Sequence, residues 1–229
     1  VWKAELMAGR ADPAFAGRVG QTLAGIHAAT AGREEVRARF STDTIFHAIR
    51  LEPYLEATAA RHPAVADAMM ALSRDTLARK DALVHGDVSP KNLLCGPGGP
   101  VFLDAECAWY GDPAFDIAFC ANHLLLKCLA RPDTTDAFLA SFDALVSAYL
   151  SGVNWEPAAE VERRAARLLP ALFLARVDGK SPVEYVTADS QRDLVRATAL
   201  PLIAAPPARL AAVRAAWAEA LTSHARTRP

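Results

Sequence analysis

The chain has little of what marks a membrane, secreted or nucleic-acid-binding protein. No apolar run approaches the roughly 20 residues a bilayer crossing needs. No charged start with a short apolar core and a small-residue cleavage site opens the sequence, so no secretion signal is expected. The four cysteines, Cys95, Cys107, Cys120 and Cys128, lack C-x-x-C spacing and sit among apolar residues. They read as structural thiols of a cytoplasmic protein, not as a disulfide or zinc framework. Basic residues do not cluster with aromatics, and a formal charge of −1 exerts no long-range pull on a polyanion, which excludes a nucleic-acid partner. Repeats, low-complexity tracts and long linkers are missing. Neither a G-x-G-x-x-G pattern nor a P-loop occurs anywhere in the chain.

What remains is an ordinary globular composition, 52% hydrophobic and 22% charged over 229 residues, enough for one folding unit with a substantial core. Asp12-Pro13 supplies an N-cap and a first-turn proline, after which Val19, Leu23 and Ile26 recur at helical spacing until Gly32. A second helical region spans 42–61, with Pro53 breaking or restarting it, and a third follows Pro63 through Val65, Met69, Leu72 and Leu77. The only expected strands are 82–84, 93–95 and 101–103, too short for an independent sheet and placed as a small ribbon on helices. Helices are expected again at 114–130, 134–151, 157–176, 189–204 and 207–225. The expected fold class is therefore mainly α with a small β ribbon, α+β.

Within that pattern lies an unusual polar stretch. Leu83-Val84-His85-Gly86-Asp87-Val88-Ser89-Pro90-Lys91-Asn92-Leu93-Leu94 is followed, after a Gly-rich turn, by Val101-Phe102-Leu103-Asp104. A His-x-Asp leaving one strand, an Asn five residues later and an Asp ending a third strand form the set that phosphoryl transfer requires. One carboxylate orients a hydroxyl and takes its proton, while an amide oxygen and a second carboxylate hold Mg²⁺ against nucleotide phosphates. Asp87, Asn92 and Asp104 fit those roles in that order.

The loop matches the kinase pattern H-R-D-x-x-x-x-N with Gly in place of Arg. His85-Gly86-Asp87 to Asn92, Leu103-Asp104-Ala105-Glu106 and Gly111-Asp112-Pro113-Ala114-Phe115-Asp116-Ile117-Ala118 together resemble the aminoglycoside phosphotransferase and choline kinase group of small-molecule kinases. The resemblance is specific from about residue 83 to 120. It implies a kinase-like helical C-terminal lobe over residues 1–229, with ATP and Mg²⁺ as co-substrate and cofactor and a small-molecule hydroxyl as acceptor. It also implies that Asp116 hydrogen-bonds the catalytic-loop backbone and so supports His85 and Asp87 without touching substrate.

Other residues carry two readings each. His85 braces the loop or transfers protons. Lys91 reaches the transferring phosphoryl group or stays a solvated loop charge. Glu106 touches a second metal or the acceptor, or lies on the surface. Trp109-Tyr110 stacks on an acceptor or packs in the core. Residues 176–185 form a substrate-contacting loop, or a helix end at Gly179 followed by a proline-started helix. His27, His47, His62, His123 and His224 share no ligand spacing and receive no role.

The acceptor is an aminoglycoside, sugar, amino alcohol or related metabolite. Residues 150–229 carry 8 Asp/Glu against 11 Lys/Arg, a balance of +3 that disfavours a polycation. The glycine-rich N-terminal lobe of such kinases is not visible, and Val1-Trp2-Lys3 reads as the start of the chain just after an interlobe linker. These residues alone are then expected to fold but not to turn over, with the missing lobe or a partner completing the nucleotide site. The rival reading is a non-catalytic, degenerate kinase-like binding or regulatory module.

Overall fold

The computed structural model describes residues 1–227. Helix α1 (Trp2–Met7) lies ahead of the first expected helix. Two of its residues are buried: Trp2 and Leu6, one turn apart, face inward, and Trp2 meets the edge of Phe15 at 5.4 Å. Helix α2 (Pro13–Thr30) starts where Asp12 accepts the Ala14 N–H at 2.9 Å. Its inward stripe runs Phe15, Ala16, Val19, Gly20, Leu23, Ala24, His27, so a histidine occupies a core position. Helix α3 (Glu34–Arg39) buries nothing and was not signalled by any apolar period; acidic residues open it and basic ones close it, which suits the helix dipole.

The 42–61 region is continuous and Pro53 does not divide it. Helix α4 (Asp43–Phe46) passes into a π-helical segment (His47–Glu56) and then α5 (Ala57–Ala59). In an α-helix the Ile49 carbonyl would lose its partner to proline. Here it accepts Arg50 Nη1 at 2.7 Å, within a turn widened to i→i+5 bonding. Helix α6 (Ala66–Ala78) completes the N-terminal half.

The strands form two separate antiparallel ribbons, not one. β1 (Ala82–Val84) pairs with β4 (Trp109–Gly111), and β2 (Leu93–Gly96) pairs with β3 (Gly99–Phe102). β4 carries no alternation over its three residues and was read as pocket or core aromatics; pairing with β1 makes it a strand. Helices α7 (Ala114–Ala130), α8 (Thr135–Ser151), α9 (Ala158–Asp178), α10 (Asp189–Ala204) and α11 (Leu210–Thr227) follow. α11 starts later than expected, past Pro206-Pro207.

The core is organised around α7, whose residues from Ala114 to Leu129 are all buried. α8 and α9 pack on it, and α2 packs on α8. From α11, Trp217 reaches in to donate its indole N–H to the Leu125 carbonyl at 3.0 Å. Among the described residues no helix is long and apolar enough to cross a membrane.

Gly20 allows α2 and α8 to approach closely. A Cβ built there would stand 2.3 Å from the Leu145 carbonyl oxygen, which belongs to backbone and cannot swing away. Gly25, one turn on and exposed, meets nothing within 4 Å. Gly20→Ala should therefore destabilise by about 1–3 kcal/mol, whereas Gly25→Ala should stabilise by about 0.5–1 kcal/mol. Denaturant melts of the two variants check this; equal effects would refute the close crossing.

Candidate active site

The residues after β1 leave the ribbon through a turn that only glycine fits. Gly86 has φ of +78°, and a Cβ there would lie 2.9 Å from Cys107 Sγ and 3.0 Å from the Cys107 carbonyl. Behind the turn sits Asp116, wholly buried on the first turn of α7. Its Oδ2 accepts the His85 N–H at 2.7 Å and its Oδ1 accepts the Gly86 N–H at 2.8 Å. His27 Nε2 lies 3.3 Å from the same Oδ2, and His27 Nδ1 lies 2.9 Å from the Tyr149 hydroxyl. Since a carboxylate only accepts, Nε2 carries a proton toward Asp116, and Nδ1 shares the Tyr149 hydroxyl with the Pro113 carbonyl. His27 was given no role from sequence. Its signal was a polar residue on an otherwise apolar helical stripe.

His85 is held at both ring nitrogens. Nε2–H donates to the Leu103 carbonyl at 3.0 Å, and Nδ1 accepts the Asp87 N–H at 3.2 Å. That neutral tautomer ties the loop to the end of β3 and leaves neither nitrogen for substrate.

Asp87 is 5% exposed. Its Oδ2 is ion-paired with Arg50 Nη2 at 2.9 Å and Lys91 Nζ at 3.2 Å, while Oδ1 accepts no hydrogen bond among the described residues. Arg50 went unnoticed in the sequence because it comes from the π-helical segment, far from the motif. It also donates through Nε to the Gly86 carbonyl and lies over the Phe119 ring at 5.9 Å, so it fixes backbone and carboxylate together. Lys91 pairs with Asp87 yet stays largely exposed, which joins features of both readings given to it.

Asn92 directs Nδ2 to the Asp87 carbonyl at 3.2 Å and keeps its amide oxygen free. Its own carbonyl accepts the Leu103 N–H at 2.9 Å, which places Asp104 one residue beyond the Asn92 rung of the β2–β3 ladder. Asp104 has φ of +62°, the one non-glycine residue with positive φ among those described, and its exposed carboxylate makes no hydrogen bond or ion pair. Backbone in this sparsely populated region is held in place by its surroundings, here the pinned Leu103 on one side and the Cys107 turn on the other. A free amide oxygen and a free carboxylate are hard donors suited to Mg²⁺, which keeps much of its shell for water and phosphate. No three His, Cys, Asp or Glu side chains among the described residues cluster to hold a metal.

Asp87, Lys91 and Glu106 share one cavity of about 320 Å³. Its far wall is the segment 176–185, which contributes Arg176 and Ser181 to Tyr185. Gly179 does cap α9, donating to the Ala175 carbonyl at 2.9 Å, but no helix starts at Pro182; α10 begins only at Asp189. Trp109 and Tyr110 lie outside the cavity. Trp109 stacks on Phe46 at 4.2 Å and donates to Asp43 at 2.7 Å, and Tyr110 is likewise buried. The cysteines are free, and burial pushes Cys107 up to about 11, which keeps this thiol beside the loop protonated and inert.

A sequence model described as the phosphotransferase enzyme family, APH, matches residues 4–144, which hold the whole of this loop and Asp116. Methylthioribose kinases from Bacillus cereus (strain AH820) and Bacillus mycoides (strain KBAB4) are each 32% identical over 98 residues, covering 35% of this chain and 25% of the relative. The aligned stretch thus spans about a quarter of the length of the curated relatives it matches.

Asp116 is the least replaceable of these groups by geometry. Asp116→Asn keeps the shape but presents an NH₂ to one of two buried N–H donors, so it should cost about 2–4 kcal/mol, the loss of a charge-assisted bond plus an unsatisfied donor. Amide exchange at His85 and Gly86 should quicken in the variant more than exchange in α9. Uniform quickening would mean the carboxylate supports the fold at large and not the loop.

Proposed function

Because this chain belongs to the phosphotransferase enzyme family, we propose that it transfers the γ-phosphoryl group of ATP to a hydroxyl of a small molecule. The observation that carries the reading is the asymmetry of Asp87, which lines the cavity: Oδ2 makes the ion pairs with Arg50 and Lys91, and Oδ1 accepts no hydrogen bond among the described residues. A hydroxyl lying in that cavity would donate to Oδ1. As its oxygen bonds to phosphorus and the bond to the departing ADP breaks, Asp87 takes the hydroxyl proton. Most of the rate enhancement comes from alignment and charge, and the braced loop contributes by holding Asp87 still.

Asn92 and Asp104 would hold Mg²⁺, which when bound neutralises charge on the nucleotide phosphates. Lys91, with its ammonium exposed at the cavity rim, is suited to meet the transferring group. His85 and Asp116 position the loop. No glycine-rich phosphate-covering loop lies within the 229 residues, and the reading assigns that element to a lobe or partner outside them. The acceptor of the relatives is named as methylthioribose. A quarter-length alignment supports the chemistry of the loop better than the identity of the acceptor.

The division of labour is testable by titrating Mg-ATP calorimetrically into variants. Asp87→Asn should lower turnover on the order of a thousandfold with nucleotide affinity nearly unchanged. Asp104→Ala should weaken the nucleotide itself. Equal loss of nucleotide binding in the two variants would reverse the assignment of acceptor and metal roles.

A further inference from the structure

Helix α7 carries Phe119, His123 and Lys127 one turn apart, and all three line the same cavity as Asp87. Phe119 lies beneath Arg50. At 1.5 Å per residue the stripe leads about 12 Å away from the level of Phe119 and ends at Lys127. Lys127 is 1% exposed, and its ammonium has no hydrogen bond or ion pair; its recorded contact is the Tyr185 ring, 4.5 Å away.

Around it several polar atoms are buried without a partner: His123 Nε2, Tyr185 Oη, Arg176 Nε and, nearer Asp87, Ser89 Oγ. Buried polar groups are nearly always hydrogen-bonded, and an unpaired buried cation is costlier still. A concentration of such atoms along one cavity marks a place where a ligand supplies the missing partners.

The charges around the cavity decide what kind of ligand. Lys3 is neutralised by Glu184 at 2.5 Å, and Arg50 and Lys91 are engaged by Asp87. Arg176 gives Nη1 to the Tyr54 hydroxyl at 3.0 Å and to Ser181, both neutral groups. Lys127 and Arg176 therefore line the cavity without an ion-paired carboxylate of their own, and Glu184, paired with Lys3, acts on Lys127 only at a distance. His123 adds no charge, since burial beside Arg176 and Lys127 holds it well below the ordinary imidazole range. Glu106 also lines the cavity, and its exposed carboxylate makes no ion pair with Lys127 or Arg176.

We propose that the acceptor is a hydroxyl compound carrying a carboxylate, its hydroxyl at Asp87 and its carboxylate between Lys127 and Arg176. The proposal rests on the kinase reading above and narrows it. One ammonium and one partly committed guanidinium suit a single negative charge and repel polycations and amino alcohols. A carboxylate accepts on both oxygens, so it can meet Lys127 and Arg176 together while Tyr185 and His123 lie within the same wall.

The proposal has a pH signature. Burial, with Lys3 adding repulsion and Glu184 opposing it, lowers Lys127 to about 8, while Arg176, His123 and Tyr185 complete its surroundings. A bound carboxylate favours the charged ammonium and raises that value. Affinity for the acid should thus be full below about pH 8 and fall above it, by up to tenfold per pH unit, until the lysine of the complex also discharges.

The experiment is calorimetric titration of the whole protein with a length series of ω-hydroxy acids from 4-hydroxybutyrate to 8-hydroxyoctanoate, the matching neutral α,ω-diols, a cationic ω-amino alcohol, and methylthioribose. Each is then assayed for ATP-dependent ADP release. The acids should bind at least about tenfold more tightly than their neutral counterparts, the scale of one charge-assisted bond. That preference should vanish in Lys127→Met, which keeps the length of the side chain and removes a buried charge, and shrink in Arg176→Gln.

Methylthioribose, a diol or the amine binding as tightly as every acid would overturn the carboxylate seat. So would an acid preference unchanged in both variants. If methylthioribose or a diol is phosphorylated in an Asp87-dependent way and no acid is, the kinase reading stands and the acceptor class falls. If acids bind with the Lys127-dependent preference but release no ADP, the seat stands and the kinase reading falls.

Discussion

The carboxylate of Asp116, sealed from solvent and accepting two consecutive backbone N–H groups, is the constraint on which the site depends. Each charge-assisted bond of this kind is worth about 1.5–3 kcal/mol, enough to hold a short loop in one conformation against its chain entropy. The flanking strands alone would hold the loop weakly. β1 has three residues and pairs only with β4, and the next ribbon begins at Leu93. Between them the chain turns through a left-handed glycine, and His85 and Asn92 close the remaining gaps with bonds to Leu103 and Asp87. His27 adds a further bond to Asp116 and is itself bonded to Tyr149, so α2 and α8 are tied to the buried charge on α7 through one histidine.

Charge is distributed unevenly on the two sides of that brace. On the loop side, Asp87 has one oxygen ion-paired with two cations and one that accepts no hydrogen bond among the described residues, which separates holding the carboxylate from using it. On the helix side, α7 buries a lysine without a counterion, an arrangement that costs stability and lowers Lys127 to about 8. A hydrophobic residue at 127 would be the more stable choice for a helix buried all round. The fold alone gives no reason for an ammonium at this position, whereas the proposed acceptor carboxylate would supply its missing partner.

The parts of the site legible in the sequence are those lying within one short segment or an extension of it. His85, Asp87, Asn92 and Asp104 are close in the chain because a strand, a turn and a ribbon bring them together locally. Asp116 is legible through the following Gly-Asp-Pro segment. Arg50, His27 and Lys127 come from three distant elements, and each sits in a stretch whose local pattern says only that it is helical, whereas Arg176 opens the polar segment 176–185 that the sequence did single out. The fold shows the same division. Long amphipathic helices were readable from period alone, whereas β4 was too short for alternation and α3 buries no face. Pro53 misled because its effect depends on the helix type, and the π turn is set by tertiary packing of Arg50 and Tyr54 against α7, not by local propensity.

One consequence of this architecture is that chemistry and selectivity occupy different supports. The loop residues are tied to Asp116 at the first turn of α7, while the unpartnered groups of the cavity follow the same helix toward its C-terminal half and across to the segment 176–185. A rigid helix transmits position between the two ends but not composition. Substitution at 123, 127 or 185 alters which partner the cavity needs without touching the bonds at His85 and Gly86. On the proposed reading, the side chains along α7 set the choice of acceptor while the loop bonds set the chemistry.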